Sequence, residues 1–130
     1  MKKILALVLV LLLAVPFAAM AEENPTVKIG VFEPASGDSG AGGKQEILGM
    51  QYANYVQPTV DIGGTTYNVE LVYADNQSST STAPSAAQQL VSEGVSVVLG
   101  SYGSGVSIAA SPIFEDAGIP AIGVTCTNPA

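Results

Sequence analysis

The sequence predicts an α/β fold, a parallel sheet with helices on both faces. Three observations point there. Short β-branched runs alternate with stretches of helical period in the order β-α-β-α-β-α-β. Residues 95–99, Val-Ser-Val-Val-Leu, are almost continuously apolar, as a strand covered on both faces must be. The segments that follow the strands are rich in Gly, Ser, Thr and Asn, the composition of loops at the carboxyl ends of parallel strands, where α/β sheets bind ligands.

Each element has its own justification. Residues 27–32 form the first strand, bounded by Glu33-Pro34, because proline cannot donate to a ladder. Leu48, Tyr52, Tyr55 and Val56 then fall at i, i+4, i+7 and i+8, the apolar stripe of a helix ending before Pro58. Asp61-Ile62-Gly63-Gly64 reads as a turn, and Val69, Leu71 and Tyr73 alternate with Asn68, Glu70 and Val72 as a half-exposed strand near a sheet edge. After the Ser/Thr-rich residues 77–82, Ala83, Ala86, Ala87 and Leu90 repeat at helical spacing up to Gly94. Residues 95–99 are expected as the central strand. Residues 106–117 form a third helix with Pro112 inside it, and residues 119–124 a fourth strand.

Residues 1–21 stand apart. Lys2 and Lys3 precede an unbroken apolar run of 12 residues, and Ala19-Met20-Ala21 is an A-x-A cleavage site, so this segment is expected to be a secretory signal peptide. The run is shorter than the roughly 20 residues needed to span a bilayer, so no membrane anchor is expected after cleavage. The remaining chain, with Lys28 and Lys44 against 11 acidic residues, carries a net charge of −9 and is expected outside the cytoplasmic membrane, periplasmic or extracellular. That charge disfavours nucleic acid and anionic lipid as partners.

The chemistry available is narrow. With no His and one Cys, His-ligated metals, Ser-His-Asp triads, Cys-His dyads and intrachain disulfides are excluded. No Ser lies three residues before a Lys, and Glu33, Asp38 and Asp75 read as solvated loop carboxylates rather than an acid/base pair, so no enzyme and no cofactor are expected. No Lys or Arg follows Lys44 and G-x-G-x-x-G fails at both glycine-rich loops, which argues against phosphate. Residues 100–105, Gly-Ser-Tyr-Gly-Ser-Gly, instead run into a helix start, where free N–H groups and the Ser104 hydroxyl suit a small carboxylate. Residues 125–129, Thr-Cys-Thr-Asn-Pro, add carbonyls and hydroxyls suited to an ammonium, together the profile of an α-amino acid. The same glycines also suit plain tight turns, and Thr125 and Thr127 also suit backbone capping. Asn76-Gln77-Ser78 formally matches a glycosylation sequon but reads as turn chemistry.

Residues 27–31 with Ser36-Gly37-Asp38, then Val97-Val98-Leu99-Gly100-Ser101, Gly118-Ile119-Pro120 and Thr127-Asn128-Pro129, resemble the type I periplasmic binding proteins. Within them, the chain is most similar to the branched-chain amino acid (leucine/isoleucine/valine) binding proteins of ABC transporters. The resemblance covers essentially all of residues 22–130 and implies the N-terminal part of lobe 1, incomplete, of a two-lobed receptor that closes on an amino acid and hands it to a membrane permease. It implies that Ser104 binds the ligand carboxylate, that Thr127 contacts carboxylate and ammonium, that Thr125 offers its carbonyl to the ammonium, and that Tyr102 and Gly103 line the same loop. Gly42 stands where leucine-binding members place a Trp, and Tyr102 replaces an aliphatic residue. The same fold also serves ligand sensing coupled to a receptor, which a first lobe does not distinguish from transport.

Overall fold

The computed structural model describes residues 23–128; the expected signal peptide and Pro129 lie outside them. The described residues form five strands and three helices, in the order β1 (Thr26–Glu33), α1 (Gly40–Val56), β2 (Thr59–Ile62), β3 (Thr65–Asp75), α2 (Ala83–Ser92), β4 (Val97–Leu99), α3 (Ser104–Asp116) and β5 (Ala121–Ile122). They form one sheet in the order β2-β3-β1-β4-β5. The parallel α/β expectation holds for β3, β1, β4 and β5. The edge strand β2 is antiparallel to β3, so the sheet is mixed.

Two strand expectations need correction. Residues 61–64 are not only a turn, because Asp61 and Ile62 end β2 and pair with Thr66 and Thr65 across the Gly63-Gly64 reversal. The β2–β3 hairpin was masked by the exposed, polar character of both strands near that turn. The central strand is β1, not β4. β1 runs in register with β3 from Thr26↔Asn68 to Glu33↔Asp75 and pairs on its other side with β4, whereas β4 contributes three residues. β3 and β4 also have a strand on each side, but β1 alone has two strands on either side of it, and it joins the long β3 ladder to the short β4 one.

Alternation along the strands divides the sheet into two faces. Phe32, Ala74 and Val98 face α2 and α3 and build the buried core with Leu90, Val106 and Phe114. Phe32 and Phe114 meet edge to face, with ring centroids 5.5 Å apart, which pins α3 onto β1. The alanines of α2 let it approach closely, and Leu90, fully buried, sits over Gly30 of β1, where a Cβ would crowd Leu90, Val95 and Val98. Pro112 cannot donate to the Ile108 carbonyl, and the Ser111 hydroxyl takes its place at 3.0 Å, so α3 continues through the proline. The C-terminus of α2 is met by Lys28, whose ammonium donates to the Glu93 carbonyl at 3.0 Å.

α1 covers the other face differently from the expected stripe. Leu48, Tyr52, Tyr55 and Val56 point away from the sheet and are 55–83% exposed. The sheet-facing side of α1 instead carries Glu46, Gly49, Met50, Ala53 and Asn54, which with Ile29, Val69, Leu71 and Leu99 line a groove of about 760 Å³. Helical spacing alone could not tell which of these two faces meets the sheet, because contacts of Gly43 with Pro34 set the rotation of α1.

The strand ends are tied together by Asn76, a fully buried residue just past β3. Its amide nitrogen donates to the Phe32 carbonyl (3.0 Å) and to the Ser101 hydroxyl (3.1 Å), while its amide oxygen accepts the Ser78 N–H (3.1 Å). One side chain thus joins the ends of β1, β3 and β4.

Two substitutions test this packing. Leu90→Ala should cost about 2–5 kcal/mol by removing the side chain over Gly30, measured as a lower denaturation midpoint at unchanged slope. Asn76→Ala should cost about 1–3 kcal/mol, because the Ser78 N–H loses its acceptor and the Phe32 carbonyl a donor; unfolding at the wild-type midpoint would contradict that role.

Candidate ligand site

The carboxyl ends of the four parallel strands bring together the loops at residues 34–39, 76–82, 100–103 and 123–128. The first two are stapled by Asp75. One carboxylate oxygen accepts from the N–H groups of Ala35 (2.9 Å), Ser36 (3.3 Å) and Gln77 (2.9 Å), and the other from the Ser36 hydroxyl (2.6 Å). Partial burial alone would raise its pKa, but the donors outweigh it and hold the carboxyl below its usual range. Gln77 and Ser78 adopt left-handed backbone at φ 56°, which turns the Ser78 hydroxyl onto the Ser39 N–H at the start of α1 (2.9 Å). Asp75 is therefore a structural acceptor, not the solvated carboxylate expected from sequence. The Asn76-Gln77-Ser78 segment is turn chemistry as expected, with Asn76 buried.

Glu33 overturns the expectation more sharply. It is the last residue of β1 and 1% exposed. Its Oε2 accepts the Tyr102 N–H at 2.7 Å, which ties the loop after β4 to β1. Burial first, then the hydrogen bond and charge of Glu46, push its pKa up to about 8, against the opposing pull of the Tyr102 N–H. Gly100 makes this approach possible: its φ of 121° favours glycine, and a Cβ there would collide with the Phe32 carbonyl and with Glu33 Oε1.

All five residues singled out from sequence meet at one place. Tyr102 and Gly103 form the turn before α3, and Ser104 is the first residue of that helix. The Ser104 hydroxyl oxygen accepts the N–H groups of Thr127 (3.1 Å) and Asn128 (3.2 Å), and the Thr125 hydroxyl donates to the Tyr102 carbonyl (3.3 Å). A hydroxyl has one proton and two lone pairs. With both lone pairs engaged, Ser104 keeps its O–H as a donor. Beside it stand the N–H groups of Ser104 and Gly105 at the first two positions of α3, which no earlier turn of the helix can accept. Thr125 and Thr127 are exposed and Ser104 is half-buried, so this corner faces outward. Cys126 is a free thiol, half-buried, that lines a small cavity of about 180 Å³ with Ser104, Ser107 and Phe114.

The ring of Tyr102 lies over Gly42 on α1, where any Cβ would strike it. The small residue on the helix and the large one on the loop are thus complementary. Chemically, the corner offers hydroxyl and amide donors at a helix N-terminus, carbonyls on the 123–128 turn and an aromatic wall. Among the described residues, no cluster of His, Cys, Asp and Glu could hold a metal ion, and no helix is long and apolar enough to cross a membrane.

Sequence comparison finds the same architecture elsewhere. The chain is 32% identical over 103 residues to a Leu/Ile/Val-binding protein homologue of Brucella abortus, covering 79% of this chain and 28% of that protein. It superposes on a leucine binding protein of Thermotoga maritima with a TM-score of 0.73 and 35% identity, covering 80% of this chain and 29% of the other. On a branched-chain amino acid transporter substrate-binding protein of Streptococcus pneumoniae, solved with isoleucine, the TM-score is 0.70 and the identity 33%, over 81% and 30% of the two chains. A solute-binding protein of R. palustris solved with benzoate superposes with a TM-score of 0.64 and 28% identity, over 75% and 27%. The chain therefore spans less than a third of the length of these relatives. The family profile described as periplasmic binding protein matches residues 26–130, and the chain belongs to this family, among the type I, leucine-binding-like members.

Proposed function

We propose that this chain supplies one wall of an extracytoplasmic amino acid receptor that serves an ABC permease, exported by the signal peptide expected at residues 1–21. In this reading residues 22–130 are the N-terminal part of lobe 1, and the protein binds its ligand without transforming it. The observation that carries it is the Ser104 corner: a hydroxyl whose lone pairs are engaged by Thr127 and Asn128 and whose proton is left to donate, beside the first N–H groups of α3. A ligand carboxylate seats there, and the Thr125 carbonyl with the Thr127 hydroxyl receives the ammonium. Tyr102 and Gly103 border the side chain, with the Tyr102 ring over Gly42, the position at which the resemblance to leucine-binding members implies a Trp. The leucine- and isoleucine-related relatives favour a branched aliphatic side chain.

A second reading, an aromatic carboxylate, is favoured by the benzoate-bound relative and by the exposed Tyr102 ring. The two differ in the ammonium, which benzoate lacks.

Backbone amide shifts of the purified chain titrated with isoleucine or benzoate separate them. One wall open to water leaves its hydrogen bonds in competition with solvent, so isoleucine should bind more weakly than about 1 mM while shifting Ser104, Gly105 and Thr127. Ser104→Ala should weaken that binding about tenfold or more by removing a donor to a charged group. Stronger shifts with benzoate would establish the aromatic acid reading, and shifts from neither ligand at these residues would refute the site.

A further inference from the structure

We propose that Glu33 and Glu46 share one proton as a buried carboxyl pair, and that this pair sets the pose of the Tyr102–Ser104 loop, making both of them positioning residues for the ligand corner. The geometry starts from β1. Glu33 is 1% exposed, and while its Oε2 holds the Tyr102 N–H at 2.7 Å, its Oε1 is buried and accepts no donated hydrogen bond. Glu46 lies one helical turn beyond Gly42, the residue under the Tyr102 ring, and both of its carboxyl oxygens are buried without a donor. The two carboxyls are hydrogen-bonded to each other; with three of their four oxygens lacking any other donor, that bond requires a proton between them.

The surroundings supply no positive charge to do this work: Asp61 of β2, which lines the same groove as Glu46, is acidic and accepts the Thr66 hydroxyl. From β3, Asp75 pairs in register with Glu33, but its carboxylate is taken up by Ala35, Ser36 and Gln77. Lys28 sits toward the opposite end of β1, bonded to the Glu93 carbonyl, and Lys44 is exposed on α1. The loop after β4 brings the Tyr102 N–H and its phenol, and β4, β5 and the first turn of α3 bring no titratable side chain. Burial and Glu46 together raise the Glu33 pKa to about 8. A group whose pKa is raised on folding adds stability fully below its unfolded value, and that stability is lost as pH rises through the folded one. The window of loss therefore runs from about 4.5 to about 8. Above it a second negative charge enters the pair, the carboxyls separate, and Tyr102 moves with the carboxylate that holds its N–H. The consequence for ligand binding rests on the function proposed above; the proton and the loop pose do not.

The test is therefore made without ligand. Carboxyl carbon NMR of the purified chain, labelled at glutamate, should show one glutamate titrating with a midpoint near about 8, and the Tyr102 N–H resonance should shift with the same midpoint. Protection of that N–H from exchange should fall by about tenfold or more across the step. Glu33→Gln keeps an acceptor for Tyr102 and gives Glu46 a permanent donor, so it should make the Tyr102 resonance independent of pH. Glu46→Gln gives Glu33 a permanent donor and should lower the Glu33 midpoint by about tenfold or more in proton affinity. If every glutamate of the wild-type chain titrates below about pH 6, or if Tyr102 is unmoved while one titrates near 8, the proposal is wrong. The wild-type measurement decides this even if neither variant folds.

Discussion

The buried amide of Asn76 is the interaction on which the ligand end of this molecule depends. A parallel sheet places all its carboxyl-end loops at one edge but does not join them, since each loop departs from a different strand. Asn76 joins three, because both of its N–H protons and its carbonyl oxygen are used within a site that excludes water. Losing one partner would leave the others unsatisfied in the interior, which makes the arrangement all-or-none. Ser101 extends the network by accepting the Gly103 N–H at 3.3 Å, so the turn before α3 inherits its position from the strand ends.

Two further contacts act on the same turn from the opposite face of the sheet. Glu33 holds the Tyr102 N–H, and Gly42 admits the Tyr102 ring. From the far side, Thr125 and Ser104 close the 123–128 segment against it. The ligand corner is thus held by residues from β1, α1, the β3–α2 loop and the chain after β5. A corner assembled this way has its donors oriented in advance, which is what preorganisation means.

Much of this was legible in the sequence. Strand 1, the alanine face of α2 and the Gly94 stop were readable because one periodicity and one backbone preference agreed at each, and the structure places Ala83, Ala86, Ala87 and Leu90 in the core. That residues 100–105 and 125–129 come together followed from where strands end, while Tyr102 and Gly103 were singled out by the resemblance. What the sequence hid were relations across long separations. Glu33 and Glu46 look like ordinary surface carboxylates until β1 and α1 are packed together, and the Leu48–Tyr52–Tyr55 stripe looks like a core face until the contact of Gly43 with Pro34 fixes the helix rotation. The rank of β4 in the sheet was likewise not a local property, because its apolar run matches what either an inner or a near-edge parallel strand requires.

In the proposed function, the Ser104 corner holds the carboxylate and ammonium of an amino acid. A crystal structure of the chain grown with saturating isoleucine would locate both groups. The carboxylate is expected at hydrogen-bond distance from Ser104 Oγ and the Gly105 N–H, with the ammonium against the Thr125 carbonyl. Isoleucine seated instead in the groove between α1 and the sheet, with the Ser104 corner untouched, would contradict it.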